Sequence, residues 1–192
     1  EGAYNWWYIN LLKTDDRGEL EWSSTLDEPF MNPIGEFMVI NGELCFACMH
    51  ASNLSTYLVK VNIADGSTTE LANFSSLIYP LYASQTPDGN LLIQSYEKFS
   101  RVSYLSKIST DLSITWSTGF NVIEDVEEQL IYHVIKTGKQ FPLFTGSAAD
   151  GSYHYMNSFN NYSVSLAFVN NDGSKKGVVN GSRYSGAISN AT

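Results

Sequence analysis

Lys13, Lys60 and Lys107 stand 47 residues apart, twice, and each follows an apolar stretch: Ile9-Asn10-Leu11-Leu12, Tyr57-Leu58-Val59 and Tyr104-Leu105-Ser106. The Asn41-Gly42 turn recurs as Asp88-Gly89 at the same interval, and Trp22 recurs as Trp116 after two intervals. Tyr57 and Tyr104 each precede their lysine by three residues. Four markers on one spacing constrain the fold more than any composition does: the chain reads as units of about 47 residues, each one supersecondary element.

Within a unit the pattern is four short strands. In residues 79–119 an apolar run, Tyr79-Pro80-Leu81-Tyr82-Ala83, ends at a Pro-Asp-Gly turn. A second run starts at Leu91 and a third spans Val102 to Ile108, alternating in part as a half-buried strand does. Asp111-Leu112 turns the chain into Ile114-Thr115-Trp116. Residues 37–74 repeat this plan, residues 6–26 supply the third and fourth strands of an earlier unit, and residues 129–181 form a later one. In that later unit, Leu130 to Ile135 and Phe141 to Phe144 read as its first strands and Asp150 to Tyr162 as an inserted loop. Aromatic residues at 14% and few charges suit strands, and Gly, Asn, Asp and Ser mark the turns.

Four strands per 40–50 residues, repeated, predict an all-β fold: a partial β-propeller of about four blades over residues 1–192, as one region of a larger propeller. Blades packed radially bury on one another the faces that a lone sheet would expose. A β-sandwich is the alternative; it accounts for the strands but not for a constant spacing. The chain opens at Glu1 and is read as part of a longer polypeptide, with end units whose apolar faces need covering.

Ser109-Thr110-Asp111-Leu112-Ser113-Ile114-Thr115-Trp116 resembles the Asp-box hairpin of sialidase-type and other propellers, departing at Ser113 where the pattern has Gly. Thr14 to Trp22 is a looser relative. The resemblance implies a folding element in which the Asp caps turn amides and the Trp packs between blades, with no catalytic role. The strings LLKTDDRGELEWSS and YLVKVNIADGSTTEL also resemble blades of secreted or lipid-anchored propellers of Bacteroidota-type bacteria. That resemblance implies an extracytoplasmic location, in the periplasm or at the cell surface.

The net charge of -9 disfavours a nucleic-acid surface, which needs clustered Lys and Arg. No apolar run is long enough to span a bilayer as a helix. Cys45-Phe46-Ala47-Cys48 has redox or zinc spacing, but on a strand residues three apart face opposite ways, and a zinc site needs a second ligand pair. Both cysteines are read as packing residues, matching Leu92 and Ser95 in the next unit. His50, His133 and His154 are scattered, Glu124 to Glu128 reads as a solvated acidic loop, and no phosphate loop or nucleophile elbow occurs, so neither a cofactor nor a metal is expected.

What remains is binding. Propellers carry ligands on loops at one face. The loops Leu26–Glu36, His50–Leu54, Glu97–Arg101, Asn121–Glu128 and Asp150–Tyr162 offer His50, Lys98, Phe99, Arg101, Tyr153 and Tyr155 as ligand-binding residues, with Phe30 and His154 beside them. Aromatics next to polar groups suit a glycan, a small ligand or a protein partner. The alternative is a sialidase-type glycosidase or lyase. It would need an arginine cluster, and Arg17, Arg101 and Arg183 fall at unrelated positions.

Overall fold

The structure, a computed structural model, describes residues 8–26, 30–97, 102–121, 145–147, 151–159 and 163–182. They form a two-stranded hairpin, β1 (Asn10–Thr14) and β2 (Leu20–Thr25), and three four-stranded sheets. The sheets are β3 (Phe30–Ile40), β4 (Glu43–His50), β5 (Ser55–Val61) and β6 (Thr68–Ile78); then β7 (Pro80–Gln85), β8 (Leu91–Glu97), β9 (Val102–Ile108) and β10 (Ile114–Asn121); then β11 (Thr145–Ser147), β12 (Tyr153–Phe159), β13 (Ser163–Val169) and β14 (Lys175–Ser182). Within every sheet the strands lie in chain order and pair antiparallel. No helix occurs among the described residues, so the all-β class stands.

The sheets pack face to face in chain order, and β4 shows how. Its run Cys45-Phe46-Ala47-Cys48-Met49 is buried throughout, as a strand covered on both faces must be. Cys45, Ala47 and Met49 join Ile34, Met38, Leu58, Ala83 and Ile93 in the core shared with the β7–β10 sheet. Phe46 and Cys48 point the other way, into a core with Ile9, Leu11 and Leu26 beside the β1–β2 hairpin. Leu92, Leu105 and Phe120 meet Tyr153, Ala167 and Val169 across the last interface. The first strands of successive sheets touch, β3 with β7 and β7 with β11. At Gly35 the approach is so close that a Cβ would stand 1.8 Å from the Ala83 carbonyl oxygen, which only glycine tolerates.

Pairing places each repeated lysine opposite the residue nine positions on: Lys13 faces Trp22, Lys60 faces Thr69 and Lys107 faces Trp116. The two sequence-matched turns differ, however. Asn41 and Gly42 both have positive φ (51° and 81°), the two-residue turn whose twist matches a hairpin. The β7–β8 turn instead spans Thr86 to Asn90, closed by Thr86 N donating to Asn90 O at 2.8 Å. Pro87 cannot adopt positive φ, and the chain takes a longer loop whose Asp88 carboxylate accepts the Thr86 hydroxyl.

Two expected loops are strands. Most of Leu26–Glu36 belongs to β3, which starts at Phe30 rather than Phe37. Pro33 and Gly35 read as loop punctuation but sit at register shifts between Met31 and Pro33 and between Ile34 and Met38, where bulges absorb them. In the expected insertion Asp150–Tyr162, residues 153–159 form β12, paired with β11 and β13. Its aromatic residues are strand formers that were read as loop contacts. The expected strands at 130–135 and 141–144 and the acidic run 124–128 lie outside the described residues.

Candidate functional site

The proposed ligand residues separate to two ends of the strands. His50 ends β4, far from the Asn41-Gly42 turn that begins it. At His50's end Tyr79 N donates to Leu54 O and Tyr96 N donates to Tyr79 O, which joins the β4–β5 turn to the end of β8. At the other end Asn41 Nδ2 donates to Thr110 O, and Lys107, just before that turn, reaches Tyr153. The structure therefore does not bring His50 and Tyr153 together. Tyr155 lies two residues further along β12, opposite Thr145 and Ala167. Lys98, Phe99 and Arg101 lie outside the described residues.

At the first end three rings meet. His50 stacks on Tyr57 with centroids 4.9 Å apart and planes at 28°, while Phe30 stands edge-on to His50 at 6.0 Å and to Tyr57 at 5.3 Å. Tyr57 is buried and takes a 2.7 Å hydrogen bond from Asn73 Nδ2. Phe30 and His50 are half-buried, with surface left for a ligand. Ser52 N donates to His50 Nδ1 at 3.2 Å, so the neutral imidazole carries its proton on Nε2, as a donor. An apolar platform beside a fixed N–H donor suits a ligand with one apolar face and hydroxyls at its rim. Of this cluster the sequence singled out Phe30 and His50. Tyr57 stands in the sequence only as a repeat position, and Asn73 carries no signal of its own there.

At the second end Lys107 is an inter-sheet staple. Its Nζ donates to Tyr153 Oη at 2.7 Å and Asn171 Oδ1 at 3.0 Å, and lies 3.4 Å from Asp88 Oδ2. Tyr153 Oη itself donates to Asn171 Oδ1 at 2.9 Å, and the Trp116 ring lies 5.8 Å away. Burial pulls the Lys107 ammonium down, but the Tyr153 hydroxyl and the Asp88 carboxylate outweigh it and leave its pKa raised. Tyr153 is 4% exposed, and its hydroxyl is satisfied within the protein.

Cys45 and Cys48 are both fully buried and unpaired. Burial, with Glu43 adding to it, raises the Cys45 thiol, and burial alone pushes Cys48 up to about 12. Neither is a ready nucleophile. Among the described residues no three His, Cys, Asp or Glu side chains are grouped to hold a metal ion. A groove of about 510 Å3 lies against Glu43, Leu44, Lys60, Ile63 and Thr69, crossed by the Lys60–Glu43 ion pair at 2.8 Å.

No protein-family model matches this chain, and no curated protein matches it in sequence. No helix among the described residues is long and apolar enough to cross a membrane.

Proposed function

We propose that this chain is a non-catalytic binding or scaffold module of the β-propeller type, working outside the cytoplasm, and that it takes a ligand at the end of its strands bearing Phe30, His50 and Tyr57. The propeller reading rests on sheets of four strands in chain order, stacked face to face, with their first strands in mutual contact. Contact between first strands is what a radial packing of blades requires. The 47-residue markers support it, since the lysines meet their partners on corresponding rungs of three sheets. The location rests on the resemblance to secreted and lipid-anchored propellers.

The carrying observation for function is the half-exposed Phe30–His50 pair over buried Tyr57, with the Nε2 donor fixed by Ser52. A glycan ring is the favoured ligand class, because its apolar face stacks on aromatics and its hydroxyls take the donor. A glycan array probed with the whole chain tests this. Glycan binding should vanish in His50→Ala and weaken in Phe30→Leu, both with unchanged melting temperature. Binding that survives both changes, or hydrolysis of the bound glycan, would sink the reading.

A further inference from the structure

Backbone strain among the described residues gathers where His50 lies. Asn41 and Leu112 have positive φ at the opposite end of the strands, but Asn32 at 50°, Leu54 at 59° and Tyr79 at 46° stand at the end bearing Phe30, His50 and Tyr57. Asn32 follows Phe30 and Met31, which pair with His50 and Met49. Leucine and tyrosine avoid this region because of their side chains, whereas asparagine tolerates it. Residues held there persist only where their surroundings over-determine them, and they concentrate at functional sites.

Leu54 and Tyr79 are joined in one relay. Leu54 N donates to His50 O at 2.9 Å and closes the β4–β5 turn. Tyr79 N donates to Leu54 O at 2.8 Å, and Tyr96 N donates to Tyr79 O at 3.2 Å. Three backbone bonds thus run from the His50 carbonyl, through two left-handed residues, to the end of β8.

Both flanks of the relay are anchored. The Leu54 and Tyr79 side chains pack on the core shared with the β7–β10 sheet. Thr56 Oγ1 donates to Leu77 O at 2.6 Å in the interior, which fixes the chain two residues before Tyr79. Beside Leu54, Asn53 Oδ1 accepts the Ser55 amide at 3.1 Å and the Ser55 hydroxyl at 2.7 Å. What the relay holds is the turn 50–54, and inside that turn Ser52 N donates to His50 Nδ1 at 3.2 Å. A Leu54 carbonyl released from Tyr79 frees the turn, and Ser52 N leaves Nδ1. The imidazole then loses the partner that makes it an Nε2 donor.

We propose that Tyr79 is the positioning residue of the ligand end: its left-handed backbone, acting through Leu54, sets His50 as an Nε2–H donor. The Tyr79 ring packs on the core, so the backbone conformation and not the phenol does the positioning. The inference rests on reading Phe30, His50 and Tyr57 as a ligand end. It concerns the imidazole of the ligand-free protein, however, so the relay and glycan binding fail by different measurements.

The test is NMR of the whole, ligand-free chain in alkaline buffer, with the His50 ring assigned by its loss in His50→Ala. In the unaltered chain Nδ1 should resonate as an unprotonated acceptor, and the Ser52 amide should be protected from exchange. Tyr79→Gly and Tyr79→Asn, which adopt positive φ readily, should keep both signatures. Tyr79→Val places a β-branched residue there and should lose them. The His50 nitrogens then move toward the values of an exposed histidine. The Ser52 amide exchanges faster by on the order of tenfold, the factor to which one left-handed penalty corresponds. Rescue by glycine sets this apart from a packing role, in which loss of the ring would act alike in all three variants. A folded Tyr79→Val with both signatures intact, or their loss in Tyr79→Gly, would overturn the proposal. Should Tyr79→Val not fold, hydrogen exchange of the unaltered chain decides. Leu54, Tyr79 and Tyr96 amides that open together support the relay, and Leu54 opening on its own overturns it.

Discussion

Gly18 and Gly35 share a backbone conformation, with φ of 82° and 77°, but not a setting. Among the described residues nothing lies within 4 Å of a Cβ built on Gly18, whereas Gly35 is pressed onto the Ala83 carbonyl. Alanine at either site pays for the left-handed backbone, about 1–2 kcal/mol. At Gly35 the added methyl must also push β3 off β7, a clash typically worth a further 1–3 kcal/mol or so. Urea unfolding should therefore show Gly18→Ala down by about 1.5 kcal/mol and Gly35→Ala by about 4 kcal/mol. Equal losses would mean that β3 moves freely against its neighbour. Nothing in the sequence distinguishes these glycines, since each reads as a turn residue. The contrast is made by a strand 48 residues away.

The hairpin turns are the elements whose chemistry was most legible. Asp-Gly and Asp-Leu beside Ser announce a capped turn, and each delivers one: Asp65 Oδ1 accepts Ser67 N at 2.9 Å, Asp111 Oδ1 accepts Ser113 N at 3.2 Å, and Asp172 Oδ1 accepts Ser174 N at 2.9 Å. The Asp-box-like segment departs at Ser113, yet the left-handed residue is Leu112, one position earlier. Less legible were β3 and β12, because bulges let a strand carry Pro and Gly and because aromatic residues suit a strand as well as a loop. Serine side-chain bonds, from Ser67, Ser109 and Ser174 respectively, hold the three carboxyls below their ordinary pKa, with the backbone amides adding to the effect. A folded pKa below the unfolded value of about 3.9 gives stability that is present above that pH and lost as pH falls through the folded values. Melting temperature should thus hold from about pH 7 to 5 and fall below about pH 4. Asp172→Asn should lose part of that acid slope; an unchanged slope would show that the turn carboxylates do not set it.

For the whole molecule, the sequence showed the four-strand units and the spacing, but not which ends of the strands its candidate residues would share. Register decides that. His50 closes a second strand while Tyr153 opens one, so two residues read as neighbours on one ligand face stand at opposite ends. The same alternation makes β4 a pair of gauges. Cys45 sits in the interface with the β7–β10 sheet and Cys48 in the interface with the β1–β2 hairpin, three residues apart on one strand. A thiol reagent reaches either one only when its own interface parts, so the two modification rates report two separate opening free energies. Peptide mapping after timed alkylation in mild urea should find Cys48 modified first, because it lies beneath a two-stranded hairpin and Cys45 beneath a four-stranded sheet. Equal rates would mean that the layers come apart in one step. Unequal ones would make the stack a chain of joints of graded strength, loosening from the hairpin inward.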